Sequence, residues 1–243
     1  MFYHTSMNTA TAKQRKKKRK LNARGRRILR IAAAVLLLIG IACAAVGVDK
    51  LIKARNYIPL SAAEIEAALA RGREAETDEK RLAAAEAAIT LVGKVHYFWG
   101  GKSGAVGFDS DWGQMKKVAG EGSPSTGTVK PYGLDCSGFV AWCFVQQGLT
   151  LKEAEETIGL GTWTQWDRTD RIRWKDIRVG DFVFQNEYPT DDGNHIGICI
   201  GFDAKGRPMF AHCASGFDNV VVTGAGDVFR YARRPHYYES EGE

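Results

Sequence analysis

Hydrophobic and polar positions divide the chain into a helical half and a strand half. From Ser61 to about Val95 the sequence is rich in Ala and Glu, and Ser61 with Glu64 forms the capping-box pattern that begins a helix. This stretch predicts two helices, broken near residues 71–73. From Gly180 onward the apolar positions fall in short runs of strand type, DFVFQ, HIGICIGF, PMFAHCA and NVVVTG. Helices followed by strands predict an α+β domain with an antiparallel sheet.

The region between these halves contains a loop and further helices. Residues 102–133 are rich in glycine and contain the turn-forming stretches GEGSPSTG and KPYG, which predict a long irregular loop. An apolar run then predicts a helix from about Cys136 to Gln147. Thr150 and Glu153 repeat the capping pattern and predict a second, short helix after it.

The N-terminal region differs from the rest in charge and hydropathy. Residues 1–30 contain eleven Lys or Arg and no acidic residue. Residues 31–48 are uncharged and as a helix would span roughly 27 Å, about the thickness of a bilayer core. Because the positive charge flanks only the N-terminal side, the pattern predicts a single-pass transmembrane helix with a cytoplasmic N-terminus and an extracytoplasmic body. The alternatives are a buried core helix, a basic patch of the nuclear-localisation type, and a signal peptide cleaved near residues 42–44, which would leave the body secreted.

The charge distribution also limits the partners of the folded part. The whole chain has a net charge of +6, of which residues 1–30 supply +11, so the remainder carries −5. A body without a basic excess cannot neutralise phosphates, which argues against binding of nucleic acid. The predicted organisation is a basic cytoplasmic segment (1–30), a transmembrane helix (31–48), a juxtamembrane helical linker (49–78) and a folded domain (79–238). The oligomeric state is left open.

A cysteine stands where the central predicted helix begins. The stretch GLDCSGFVAWCF places Cys136 between Asp135 and Ser137, both residues that favour helix caps, so Cys136 is expected in the first turn. Unpaired amides at a helix start favour the thiolate, which is the nucleophilic form of cysteine. Gly138 is expected to leave space for a substrate backbone. The alternative is that Cys136, like Cys143 further along the apolar run, is a small core residue.

The hairpin of the strands HIGICIGF and PMFAHCA is expected to set the register of two histidines. A four-residue loop over residues 203–206 would pair Phe202 with Arg207 and set Gly197 opposite His212. His195 and Gly197 share a face because side chains alternate along a strand, and His212 joins them there. A two-residue loop would separate the histidines by two more positions.

These residues suit nucleophilic catalysis. In this arrangement His212 orients His195, and His195 deprotonates Cys136. A zinc site built from the same three residues is the alternative, but the chain lacks the closely spaced ligand pairs that are typical of such sites.

The remaining cysteines are expected to be buried thiols. Cys199 and Cys213 point to opposite faces of the predicted hairpin, so no disulfide between them is expected. A bond between Cys143 and Cys199 is geometrically possible and is left open.

Five sequence blocks, in this order, resemble the NlpC/P60 cysteine peptidases. The resemblance covers about residues 80–235. It implies a papain-like α+β fold with N-terminal helices packed on a small antiparallel sheet. It also implies hydrolysis of bacterial peptidoglycan stem peptides, typically between D-isoglutamate and the following diamino acid. The blocks are Tyr97–Gly101, Leu134–Phe139, Val179–Phe184, Gly193–Ile198 and Phe210–His212.

The resemblance also implies roles for individual residues. Cys136 matches the nucleophile, His195 the base and His212 the polar residue that orients the base. Tyr97 resembles the aromatic residue that hydrogen-bonds near the thiolate and helps to hold the substrate or the oxyanion. No metal and no cofactor is implied.

Two further expectations concern substrate recognition and the rival functions. Asp135 and Ser137 match residues that can bind a free substrate amine. The family usually joins its Tyr block to its Cys block by a short link, so residues 102–133 are an insert that could wall the cleft. The alternatives are an amidase or acyltransferase on the same fold, and a membrane-anchored cell-wall scaffold that does not catalyse.

Overall fold

The computed structural model describes residues 24, 27, 28, 30–37, 40, 59–190, 193–226 and 228–239. Of the predicted transmembrane helix, residues 31–37 and 40 are described, and they are helical and exposed; the other residues of that segment lie outside the described part. Among the described residues, no helix has both the length and the apolar character needed to cross a bilayer. The residues divide into two compact units, Met1–Asn56 and Tyr57–Glu243.

The second unit begins with helices and continues with strands, as predicted. Its α-helices are α1 (Ala62–Ala75), α2 (Glu79–Thr90), α3 (Cys136–Val145), α4 (Leu151–Thr157) and α5 (Thr162–Asp167). Its strands are β1 (Met115–Lys117), β2 (Val129–Pro131), β3 (Thr169–Ile172), β4 (Phe182–Phe184), β5 (Ile196–Phe202), β6 (Pro208–Ala214), β7 (Asn219–Gly224) and β8 (Tyr231–Pro235). Single 3₁₀ turns occupy Trp174–Asp176 and His236–Tyr238.

The main sheet is antiparallel and has six strands, in the order β3-β8-β4-β5-β6-β7. The α+β prediction is therefore confirmed. Strands β3 and β8 were not predicted, because their sequences TDRI and YARRP do not read as apolar runs. The predicted loop over residues 102–133 is wrong in part, since β1 and β2 pair within it as a small hairpin.

Local capping decides where the helices begin. The predicted capping boxes are present at Ser61 with Glu64 and at Thr150 with Glu153. The predicted break near residues 71–73 is wrong, because α1 continues to Ala75 and α2 begins after the cap Asp78. Glycine lowers helix propensity, but this chain uses it inside a helix for close packing.

The position that was expected to break the helix brings α1 against the sheet. A Cβ atom on Gly72 would lie 3.0 Å from Gly201 Cα, and one on Gly201 would lie 2.0 Å from the Ala68 carbonyl oxygen. Gly201 also has a φ of 147°. Residues 59–78 of the predicted linker (49–78) thus lie in the same compact unit as the sheet, with α1 packed on β5. Residues 49–58 of that linker lie outside the described part.

The register of the β5–β6 hairpin differs from the prediction at the loop and agrees with it at the histidines. Phe202 pairs with Pro208, not with Arg207, so the loop is one residue longer than expected. The longer loop shifts the pairing of the two strands by one residue, and a bulge between Cys199 and Gly201 shifts it back. Ile198 then pairs with Ala211, which sets Gly197 beside His212 as predicted.

The sheet has an apolar cluster on each face. The larger cluster packs the helices α1–α3 against the alternating residues Ile196, Ile198 and Ile200 of β5, and it includes Cys213. The smaller cluster, on the other face, contains Cys199. The other members of the smaller cluster are Ile177, Val183, Phe210, Phe229 and Ala232.

The described cysteines are unpaired. Cys136, Cys143, Cys199 and Cys213 are all buried free thiols. Cys199 and Cys213 lie on opposite faces of the sheet, so the expectation that they form no disulfide is confirmed. The bond between Cys143 and Cys199 that the sequence left open is not formed either.

Candidate active site

Cys136 is the first residue of α3, as the sequence predicts. Asp135 caps the helix, and its Oδ1 accepts a hydrogen bond of 2.6 Å from the Gly138 amide. The thiol is 5% exposed, and burial raises the pKa of Cys136 to about 12, with the neighbouring Asp135 charge adding to the effect. The structure therefore corrects the expectation of a lowered thiol pKa, because burial of the thiol outweighs the helix start.

Other groups beside the thiol lower its pKa, and they show where the thiol lies in the fold. Hydrogen bonding to the Ile196 and Ser137 amides and the positive charge of Lys102 all lower the pKa of Cys136, although less than burial raises it. Ile196 follows His195 and begins β5. Cys136 therefore lies against the start of β5, which directly follows His195 in the sequence.

The two predicted histidines are in direct contact. His195 Nε2 lies 2.8 Å from His212 Nδ1, with the rings nearly perpendicular and their centroids 5.0 Å apart. His212 Nε2 in turn lies 3.0 Å from Thr223 Oγ1. Thr223 was not predicted as a site residue. The signal available in the sequence was a lone hydroxyl among the apolar residues of NVVVTG, and the β6–β7 register sets it diagonally from His212.

The ring of Phe229 packs against both histidines. Phe229 stacks on His195 with an interplanar angle of 12° and meets His212 at 90°. Burial lowers the pKa of His195 to about 4, although the Asp135 charge acts against the shift. Burial, followed by the charge of His195, also holds the pKa of His212 well below its usual range. Both imidazoles are therefore neutral near pH 7.

Tyr97 lies beside the cysteine because the two sequence blocks pair locally. Tyr97 forms a parallel bridge with Leu134, two residues before Cys136. Asp218, a non-glycine residue with a φ of 48°, accepts a 3.1 Å hydrogen bond from the Tyr97 amide. Burial, followed by the ionised forms of Cys136 and Asp135, raises the pKa of Tyr97. Its hydroxyl is therefore neutral near pH 7.

Asp135 and Ser137 are already occupied by the chain itself. Lys102 Nζ lies 2.6 Å from both carboxylate oxygens of Asp135 and 2.9 Å from Ser137 Oγ. The space beside Gly138, expected to admit a substrate backbone, is likewise filled. A Cβ atom there would lie 2.1 Å from the Gly101 carbonyl oxygen and 2.9 Å from Lys102 Cδ. The glycine is required by a close approach within the protein.

A cleft of about 460 Å³ opens beside Cys136. The insert contributes Lys102 to its lining, and Trp99 on its wall donates a 2.9 Å hydrogen bond to the Glu121 carbonyl of the same insert. Trp163 also lines the cleft and is 61% exposed. The cleft is thus an aromatic groove with the cysteine and its flanking residues among the lining groups.

The zinc alternative finds no support in this geometry. Within the part of the chain that the structure describes, no three His, Cys, Asp or Glu side chains come together as ligands of one metal ion. The second nitrogen of His212 faces Thr223, and Nε2 of His195 faces His212. These contacts suit a hydrogen-bonded relay.

Known proteins provide independent comparisons. The family model described as "NlpC/P60 family" matches residues 93–222. The bifunctional muramidase/DL-endopeptidase CwlT of Bacillus subtilis (strain 168) is 35% identical over 85 residues, which cover 33% of this chain and 23% of CwlT. The chain thus spans about a quarter of the length of that relative.

Solved structures of low sequence identity also match. The peptidoglycan hydrolase RipB of Mycobacterium tuberculosis is 16% identical, with 75% of this chain and 69% of RipB covered and a TM-score of 0.42. RipD of the same organism, a non-catalytic NlpC/p60 domain protein, is 14% identical, with 65% and 98% covered and a TM-score of 0.43. Since the family model spans more than half of the 243 residues, this chain belongs to the NlpC/P60 family.

Proposed function

We propose that this protein is a cysteine peptidase that hydrolyses peptide bonds in bacterial peptidoglycan stem peptides, between D-isoglutamate and the diamino acid. The observation that carries the proposal is the 2.8 Å contact between His195 Nε2 and His212 Nδ1, beside the helix start that holds Cys136. A nucleophile, a base and a group that orients the base form the arrangement that thiol peptidases use. The peptidoglycan hydrolases among the relatives support the substrate class.

The hydrogen bonds require one tautomer for catalysis. His195 can accept a proton from Cys136 only at Nδ1, because its Nε2 is engaged with His212. Nδ1 is free of a proton when His195 Nε2–H donates to His212 Nδ1. His212 then carries its proton on Nε2 and donates it to Thr223 Oγ1. Thr223 Oγ1 can accept this proton, and in that arrangement His195 is a base with Nδ1 free.

The reaction proceeds in two stages. The Cys136 proton passes to His195 Nδ1 as Sγ bonds to the scissile carbonyl carbon, and the Tyr97 hydroxyl and amides near the helix start stabilise the oxyanion. His195 then gives the proton to the leaving amine as the C–N bond breaks, which leaves a thioester. Water, deprotonated by His195, hydrolyses the thioester and regenerates the thiol. The buried, neutral thiol and imidazole form their ion pair only during this transfer.

The test compares the full-length protein with its Cys136→Ala variant on purified peptidoglycan fragments, followed by mass spectrometry. We expect paired fragments from the wild type alone, with masses that identify the bond. Intact substrate with both proteins would contradict the proposal and favour a binding role such as that of RipD. A modified product without a second fragment would instead indicate an acyltransferase.

We also propose that residues 31–48 anchor the enzyme in the membrane, with the catalytic domain outside the cytoplasm. The support is the uncharged segment with eleven basic residues on its N-terminal side. Membrane fractionation, followed by protease treatment of spheroplasts, tests the proposal. Recovery of a shortened chain from the medium would indicate cleavage and contradict the anchor.

A further inference from the structure

The cleft that contains Cys136 also contains an ammonium group, that of Lys102, to which the proposed mechanism gives no role. Lys102 Nζ has three protons, and three acceptors surround it: both oxygens of Asp135 at 2.6 Å and Ser137 Oγ at 2.9 Å. The lysine side chain is 23% exposed and lines the same cleft as Cys136. This ammonium is therefore fully hydrogen-bonded at the wall of the substrate groove.

Groups of the protein itself occupy the hydrogen-bond acceptor sites of the Asp135 carboxylate. Its Oδ1 also receives the Gly138 amide at 2.6 Å and lies 2.8 Å from Ser137 Oγ, while its Oδ2 receives the Gly100 amide at 3.1 Å. A carboxylate offers about four lone-pair sites, so no strong acceptor remains for a ligand amine. The carboxylate charge is also neutralised, and a second ammonium in contact with it would meet the charge of Lys102.

The backbone holds Lys102 in this position. The Asp135 amide donates to the Gly101 carbonyl at 3.2 Å, and the Gly100 amide donates back to Asp135 Oδ2. Gly138 lets the Gly101 carbonyl and the Lys102 stem lie against the helix start, where any side chain would collide with them. Residues 100–102 and the start of α3 together hold the lysine side chain in place.

The rest of the groove suits a neutral group. Leu160, Trp163 and Tyr188 line the same cleft, and Trp163 is 61% exposed. These apolar and aromatic walls cover an acyl or sugar group, whereas an ammonium that leaves water here meets no free carboxylate oxygen of Asp135 to offset its desolvation.

We propose that Lys102 determines specificity by occupying the place of a substrate amine, so that the enzyme selects stem peptides whose amino terminus is acylated and discriminates against free amino termini. This inference rests on the proposed peptidase function. It names the substrate class as stem peptides still joined through an amide at their first residue, as in polymeric peptidoglycan. Free peptides released by an amidase would be poor substrates.

The test measures kcat/KM for one L-Ala-γ-D-Glu-diamino acid peptide in two forms, with a free and with an acetylated amino terminus. The full-length wild type is expected to prefer the acetylated form by about tenfold or more, the value of one hydrogen bond to a charged group. In Lys102→Met, Asp135 regains free acceptors, so the ratio should shift by about tenfold or more towards the free amine. Lys205→Met, at the exposed β5–β6 loop, is the matched control and should leave the ratio unchanged.

The ratio separates specificity from other roles of Lys102. If Lys102 served only to tune the cysteine or to hold the fold, its loss would lower activity on both peptides equally, and the unchanged ratio would overturn the proposal. A wild type that prefers the free amine would also overturn it, whether or not the variant folds. If the wild type cleaved neither peptide, the result would instead contradict the proposed peptidase function itself.

Discussion

Gly197 and His212 lie side by side on neighbouring strands, and a Cβ atom at position 197 would come within 3.4 Å of His212 Cβ and 2.9 Å of Phe229 Cζ. The glycine therefore makes room for the ring that stacks on His195. The bulge between Cys199 and Gly201 sets this register, although the loop beyond it is one residue longer than a direct pairing would need.

Replacing Gly197 by Ala should displace Phe229 and tilt the histidine pair. We expect a loss of about 1–3 kcal/mol in the free energy of unfolding, as for other overpacked sites. kcat should fall by about tenfold to hundredfold, because catalysis depends on sub-ångström placement. Gly224→Ala is the control, since a Cβ there meets nothing within 4 Å. Equal effects of the two substitutions in denaturation and kinetics would contradict this role.

Thr223 is expected to act through the tautomer of the histidine pair. Thr223→Val keeps the shape but removes the acceptor for His212 Nε2–H, and one lost hydrogen bond corresponds to about a threefold to tenfold lower kcat. Thr223→Ser should retain the wild-type rate. KM should not change, because Thr223 does not line the cleft. A Val variant that matches the Ser variant in kcat would rule out the relay.

The pH dependence of kcat/KM should reflect the burial of His195. The base must be neutral in the free enzyme, and its pKa is lowered from 6.5 to about 4. The acidic limb of the profile should therefore have its midpoint near pH 4 instead of near pH 6.5. A midpoint at 6.5, measured on the acetylated peptide, would show that the imidazole is exposed in the working enzyme.

The same shift predicts acid sensitivity of the fold. The folded-state pKa of His195 lies below its unfolded value, so the unfolded chain binds the proton first as the pH falls. The stability from neutral His195 is complete above pH 6.5 and is lost as the pH falls to about 4. Thermal unfolding should show this loss in the wild type, and His195→Gln should show less of it. Parallel curves for the two proteins would contradict the assignment.

A buried ion-pair network should dominate the electrostatic stability. Asp181 is fully buried and lies 2.8 Å from Arg81 and 3.0 Å from Arg234. Asp181→Asn leaves Arg81 with a buried, poorly compensated charge, which should cost about 3–5 kcal/mol in unfolding experiments. Lys152→Gln, which removes the exposed pair with Glu156, should cost less than about 1 kcal/mol. If Asp181→Asn and Lys152→Gln lowered the free energy of unfolding by similar amounts, the buried network would have relaxed or taken up water in the Asp181 variant.

Much of the site was predictable because its determinants are local. Capping residues act on amides two or three positions away, so Asp135 placed Cys136 at a helix start from sequence alone. Alternation along a strand put His195, Gly197 and His212 on one face. The predicted loop pairing was wrong, but the later bulge cancelled the error, so the histidines meet as expected.

The sequence by itself determined the α+β class, the capped helices, the four apolar strands and the cysteine with its two histidines, since each depends on periodicity or on contacts between near neighbours. Only the tertiary structure decided the contacts between distant segments. Lys102 reaches Asp135 across 33 residues, and Gly72 packs against Gly201 from another element. No periodicity encodes such pairs, because they depend on how helices and strands pack. That packing also buries the thiol, which is why its pKa rises where a helix start alone would lower it.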